Sequence, residues 1–87
     1  MPNNLLNVRI VTPGAVVYEA QAISVSSINS AGKFDILPQH ANFITIVEKS
    51  PIIIRMEKNR RLTFNFPVAI IFNMKNIVNI YTDISIK

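Results

Sequence analysis

The sequence predicts an all-β fold, a two-layer antiparallel β-sandwich of about nine to ten short strands in a single domain spanning residues 1–87, and three observations carry that expectation. Fifteen Ile and eight Val stand against four Leu, and branched side chains lose freedom in helices but fit a pleated surface. Turn chemistry recurs at close intervals, at Thr12-Pro13-Gly14, Asn29-Ser30-Ala31-Gly32, Glu48-Lys49-Ser50-Pro51 and Asn73-Met74-Lys75-Asn76. No stretch of about 12 residues carries a helical period.

The elements follow in order. Leu6, Val8 and Ile10 alternate with Asn7 and Arg9, a period-two strand that ends at Pro13-Gly14. Val16 to Glu19 reads as a short strand. Ile23 and Val25 alternate with Ser24 and Ser26, and after the Gly32 turn Phe34 to Leu37 returns as the second half of a hairpin. Residues 38–42, Pro-Gln-His-Ala-Asn, have no apolar period and form a loop leading to a strand from Phe43 to Val47. Ile52 to Met56 and Leu62 to Phe66 flank the polar tip Glu57-Lys58-Asn59-Arg60, with Leu62, Phe64 and Phe66 expected to point inward. Pro67 cannot donate to a sheet and belongs at an edge or bend. Val68 to Phe72 and Ile77 to Thr82 complete a third hairpin, and Ile84 and Ile86 add a last short strand. The expected core joins Leu62, Phe64 and Phe66 to Val8, Ile10, Ile36 and Val78.

Composition narrows the function. With 49% apolar and 16% charged residues, the chain is far from the signature of disorder, and its size buries about 60–65% of the unfolded surface. It holds no Cys and one His, which removes disulfides, thiolate chemistry and Cys-ligated zinc. No apolar run approaches the ~18 residues of a membrane span, and the start lacks the charged region and apolar stretch of a signal peptide, so the chain is expected to stay on the side where it is made. A net charge of +4 invites an anionic partner, but the cations are scattered.

No constellation for catalysis is visible. His40 stands in a loop with no nucleophile or paired carboxylate at motif spacing, Asp35 and Glu48 make no convincing pair, and only Gly14 and Gly32 are available for a phosphate loop. No cofactor and no metal site are expected, and the enzyme class ranks last. Lys58, Arg60 and Arg61 cluster on one hairpin tip and could grip phosphates if aromatics stood beside them to stack bases. Phe64 and Phe66 alternate with Leu62, however, and read as core, so a solvated tip is favoured over a nucleic-acid site. A small basic β-barrel binding single-stranded nucleic acid is the alternative reading.

One segment carries more than composition. Val11-Thr12-Pro13-Gly14 through Tyr18-Glu19, then Ile23-Ser24-Val25, and then residues 31–45 with Ile36, Leu37, Pro38, His40 and Ala41, resemble the N-terminal domain of the epsilon subunit of F-type ATP synthase. Gly32 matches the family's turn, and Val78-Asn79-Ile80-Tyr81-Thr82-Asp83 resembles its last strand. The likeness covers nearly the whole chain. Departures are Gln39 where the family usually has Gly, Asn42 where it often has Pro, Val68-Ala69 where a Gly pair is common, and Ala31 and Lys33 around a turn that is often acidic. The family typically continues into a C-terminal helical hairpin that restrains ATP hydrolysis. This sequence ends at Lys87, so no such hairpin is expected.

What the resemblance implies is a non-catalytic central-stalk (rotor) subunit that links the gamma subunit to the membrane rotor ring and couples ion flow to ATP synthesis. It implies ring contacts at Ala31, Gly32, Lys33, Pro38 and His40, and gamma contacts at Ala41, Asn42 and Phe43. The implied partners are gamma and the rotor-ring subunits, with no nucleic acid. The implied location is peripheral, on the cytoplasmic face of the inner (energy-transducing) membrane, with membrane association only through the complex. Lys33 and His40 are expected on loops at one end of the sandwich.

Overall fold

The computed structural model describes residues 5–83. Among them nine strands form two sheets and no helix is present. The chain order is β1 (Leu6–Thr12), β2 (Ala15–Ala22), β3 (Ser24–Asn29), β4 (Gly32–Ile36), β5 (Phe43–Glu48), β6 (Pro51–Met56), β7 (Arg60–Asn65), β8 (Val68–Met74) and β9 (Ile77–Thr82). A five-stranded sheet runs β2-β1-β9-β8-β5, and a four-stranded sheet runs β4-β3-β6-β7. Ile84 and Ile86, expected to add a final strand, lie outside the described residues.

The pairing departs from a purely antiparallel sandwich in one place, where β1 and β9 run parallel at the middle of the five-stranded sheet, Val8 opposite Val78 and Ile10 opposite Ile80. These strands lie far apart in sequence, so no hairpin constrains their direction. The other pairs are antiparallel. Between the sheets lie Leu6, Val8 and Ile10 of β1, Val25, Ile36, Ile52 and Ile54 of the facing sheet, and Ile71, Val78 and Ile80, all essentially without exposure. Every one is supplied by period-two alternation, as in Ile52 and Ile54 inward with Ile53 and Arg55 outward.

Several elements differ from the expectation for identifiable reasons. β2 extends through Ala20-Gln21-Ala22, a stretch of weak strand propensity held by its pairing with Val8, Asn7 and Leu6. Its register shifts between Ile10 and Val11, which leaves Val17 as the extra residue of a bulge. Ile23 is exposed, while Ser24 and Val25 are both buried. Ile23 is the only residue between β2 and β3 as the chain passes from one sheet to the other, and its amide donates to the Arg55 carbonyl at 2.7 Å.

Leu62 and Phe64 do face inward, opposite Ile54 and Ile52, but β7 is the edge of its sheet, so Leu62 stays 36% exposed. Phe64 and Phe66 are only partly buried against the core. Phe66 falls beyond β7 and stacks on Phe64 at 5.9 Å, while Tyr18 closes the other side at 5.4 Å. Asn73, expected in a turn, is instead a fully buried strand residue. The turn is Lys75-Asn76, both left-handed (φ 52° and 65°), joining Met74 to Ile77 as a type I′ hairpin requires.

Candidate docking surfaces

The loop from 37 to 42 is positioned by polar side chains of the neighbouring hairpin rather than by packing. Gln39 adopts φ 66°, a left-handed conformation that favours glycine, so this backbone keeps the geometry a glycine would allow. Its amide donates to Asn76 Oδ1 at 2.6 Å, and the Asn76 carbonyl accepts from the Asn7 amide at 2.8 Å. Asn73 reaches the loop from beneath, its Nδ2 donating to the Ala41 carbonyl at 3.1 Å and the His40 carbonyl at 3.4 Å. The His40 amide closes the turn on the Leu37 carbonyl at 3.0 Å.

The residues singled out from sequence divide between two places. Ala31, Gly32 and Lys33 belong to the β3–β4 turn, where Asn29 Oδ1 accepts from the Ala31 amide at 2.9 Å and Gly32 takes φ 119°. Pro38, His40, Ala41 and Asn42 belong to the β4–β5 loop, and Phe43 opens β5. The turn and the loop therefore flank β4 at its two ends, rather than sharing one end of the sandwich. A five-residue strand separates them by about 16 Å. An aromatic string bridges the gap, with Phe34 to Phe43 at 5.4 Å and Phe43 to His40 at 5.7 Å. Ala31, Lys33, His40, Ala41 and Asn42 are exposed, and Gly32, Pro38 and Phe43 are half-buried. Lys33 and Asp35 point to the same side of edge strand β4, where Ser26 donates to Asp35.

A larger feature was missed by the sequence reasoning. The outer face of the five-stranded sheet is apolar across three strands, with Ile44 and Ile46 on β5, Val68 and Ile70 on β8, and Ile77 and Tyr81 on β9. Ile44 is 66% exposed and Ile46 56%. The register sets Ile46 opposite Ile70 and Ile70 opposite Tyr81, so the side chains form a continuous row. A shallow groove of about 480 Å³ runs through this row between Val11 and Pro13 on one side and Val68 and Ile70 on the other. By contrast, the four-stranded sheet turns Lys33, Asp35, Ser26, Arg55, Arg61 and Thr63 outward. The signal for the apolar face was present in the run Phe43-Ile44-Thr45-Ile46-Val47, which is apolar on both sides of the strand.

Among the described residues no three His, Cys, Asp or Glu side chains come together as a metal site would require, and no helix is long and apolar enough to cross a membrane. The rings of Phe34, Phe43, Phe64 and Phe66 pack against the core. Among the described residues none of them stands beside the basic hairpin tip, the placement that base stacking would need.

Two stacked antiparallel sheets with one parallel pair, one of them with an apolar outer face, define a β-sandwich domain that offers a broad exposed surface. Residues 5–86 match the family described as ATP synthase, Delta/Epsilon chain, beta-sandwich domain, and the chain belongs to that family. Relatives include the ATP synthase epsilon chain of Sulfurimonas denitrificans, 30% identical over 84 residues, covering 94% of this chain and 65% of the relative. The chloroplastic epsilon chain of Welwitschia mirabilis is 35% identical over 51 residues, 59% of this chain and 37% of that one. The fold also matches a chain of the Euglena gracilis mitochondrial ATP synthase with a TM-score of 0.84 at 9% identity, over 97% of this chain and 54% of that one. A chain in the central stalk and c-ring structure of the Tetrahymena thermophila enzyme gives 0.72 at 16% identity, over 91% and 63%. This chain thus spans less than two thirds of the length of the relatives it matches.

Proposed function

We propose that this domain is a non-catalytic central-stalk element of an F-type ATP synthase. In this reading it joins the gamma subunit to the rotor ring and helps couple ion flow to ATP synthesis. It would sit peripherally on the cytoplasmic face of the energy-transducing membrane, held there through the complex. The observation that carries the reading is the apolar outer face of the five-stranded sheet, because exposed isoleucines aligned on an edge strand and its neighbour mark a surface that is normally covered. Gamma would cover it. The loop residues Ala41, Asn42 and Phe43 lead directly into Ile44, so the gamma contact expected there continues onto the sheet. Ring contacts through Ala31, Gly32, Lys33, Pro38 and His40 would run along the β4 edge, with the Phe34–Phe43–His40 string as their support.

Co-purification with gamma tests the proposal. Ile46→Asp places a charge in the middle of the apolar row at an exposed position, so the isolated fold should melt as the parent does while gamma capture falls by tenfold or more. Unchanged capture by Ile46→Asp would remove this face from the interface.

A further inference from the structure

The β6–β7 hairpin sets Arg55 directly opposite Arg61. Arg55 lies on the outward side of β6, since Ile54 and Met56 on either side of it are buried, and residues directly opposite share a face with Cβ atoms about 5 Å apart. Like charges placed this way repel. Neither guanidinium has an ion-pair or hydrogen-bond partner among the described residues. Asp35 lies two strands away, accepts from Ser26 and lines a neighbouring hollow with Arg55, and Glu57 follows Met56 in the turn and lines the same groove as both arginines. Lys58, Asn59 and Arg60 close a groove of about 370 Å³ above the pair, with Ile23 as its apolar side.

Positive charge gathers at this end. Arg55, Lys58, Arg60 and Arg61 outnumber Glu57 in the groove, and Asp35 stands with Arg55 in the adjoining hollow. Lys75 stands at the β8–β9 turn, at the end of the five-stranded sheet where Asn76 is bonded to Asn7 at the start of β1. There β1 pairs with the end of β2, which leads through Ile23 to Arg55.

We propose that Arg55 and Arg61 form a clamp for a phosphate group, with Lys58 and Arg60 at its rim. Two guanidinium forks on adjacent strands present parallel donors to the oxygens of one tetrahedral anion, the arrangement in which arginine outperforms lysine. A bound oxyanion also removes the repulsion that the empty pair carries. The phosphate belongs either to a soluble phosphate compound or to the headgroup of an anionic phospholipid, and the chemistry at the clamp is the same for both. The site is on the opposite sheet from the apolar face and stands without the stalk reading.

The test uses the whole chain labelled with ¹⁵N. Inorganic phosphate and pyrophosphate are titrated at constant ionic strength, with chloride as the control, while the Nε–H signals of Arg55 and Arg61 and the amides of Ile23 and Ser24 are followed. In parallel, sedimentation is measured with vesicles of phosphatidylglycerol and phosphatidylcholine against vesicles of phosphatidylcholine alone. Saturable shifts with phosphate or pyrophosphate and not chloride, weakened at least tenfold by Arg61→Gln and less than twofold by Lys75→Gln, support a soluble ligand. Vesicle binding that needs phosphatidylglycerol and is lost in Arg61→Gln, without saturation by free phosphate, supports a lipid headgroup. Arg61→Gln relieves the repulsion on an exposed edge strand, so its melting temperature should be no lower than the parent's, which separates loss of binding from loss of fold. Equal shifts in chloride, binding retained in both Arg55→Gln and Arg61→Gln, or no binding in either arm would overturn the clamp.

Discussion

Asn73→Asp is the sharpest probe of how the interior holds the 37–42 loop. Asn73 has no exposure, and its Nδ2 donates to the Ala41 and His40 carbonyls, the first of which also lies 2.9 Å from His40 Nδ1, while its Oδ1 has no partner among the described residues. Aspartate has the same shape but, when ionised, no donor. Its carboxylate would then face two carbonyl oxygens at a position with no solvent exposure, so the folded state would hold it protonated and raise its pKa far above the ordinary ~3.9. The sign follows directly. Between about pH 4 and the raised folded value, the unfolded chain releases the proton and the folded chain keeps it, so the variant loses stability as pH rises through that window.

The magnitude is bounded by the same linkage. Holding the proton at pH 7 against an unfolded pKa of ~3.9 costs up to about 4 kcal/mol, whereas at pH 4 the protonation cost falls below about 1 kcal/mol. Loss of one of two donor contacts adds about 1 kcal/mol at both pH values. Relative to the parent at the same pH, Asn73→Asp should therefore melt about 20–40 °C lower at pH 7 and only about 6–12 °C lower at pH 4, taking about 4–8 °C per kcal/mol for a domain of this size. Thermal denaturation followed by circular dichroism reads both. An equal loss at the two pH values would mean that water reaches residue 73 and that the loop is not anchored as described.

Three further outcomes follow from the packing and the turns. Phe64→Ala should cost about 2 kcal/mol in chemical denaturation, less than the ~3–5 of an enclosed ring, because β7 is an edge and the ring is only half-covered by Tyr18 and Phe66. Gln39→Gly should raise stability by about 0.5 kcal/mol by relieving the left-handed backbone, net of the entropy glycine adds to the unfolded chain; a lower melting temperature would contradict the strain. Lys33→Glu, if the β3–β4 turn meets an acidic partner on the ring, should slow assembly of a gamma–ring complex at low salt and weaken its salt dependence. Assembly rates that match the parent's at low salt would remove Lys33 from the contact.

Most strands were legible because their period is two and their ends carry turn residues. Val8, Ile10, Ile36 and Val78 were placed in the core from alternation alone, and the core holds them. What alternation does not encode is lateral position. Leu62 faces the right way but lies on an edge, and nothing local distinguishes an edge strand from a central one. Asn73 was read as a turn residue because asparagine favours turns, yet the β8 pairing continues to Met74 opposite Ile77 and turns it inward. The same blindness hid both outer faces. Ile44, Ile46 and Ile70 read as core wherever both sides of a strand are apolar, and Arg55 meets Arg61 only once the hairpin register is known. The ends of β4 were misjudged for a simpler reason: two segments that flank one strand are separated by its length.

The separation of the two surfaces has a consequence for how they act. Side chains on the outer face of β5, β8 and β9 project away from the five-stranded sheet, and Arg55 and Arg61 project from the opposite sheet, with the core between them at an inter-sheet distance of about 10 Å. Sites this far apart, sharing no partner, perturb one another by no more than a few tenths of a kcal/mol. Ile46→Asp and Arg61→Gln should therefore act independently: the first lowering gamma capture with phosphate or vesicle binding intact, the second the reverse, and the double variant showing each loss at its single-variant size. A double variant that loses more in either assay than the matching single variant would require a coupling through the core. The residues to question then would be Ile52 and Ile54, which lie inside the hairpin that carries the arginines and are buried with Ile71 and Ile80 of β8 and β9 in the shared core.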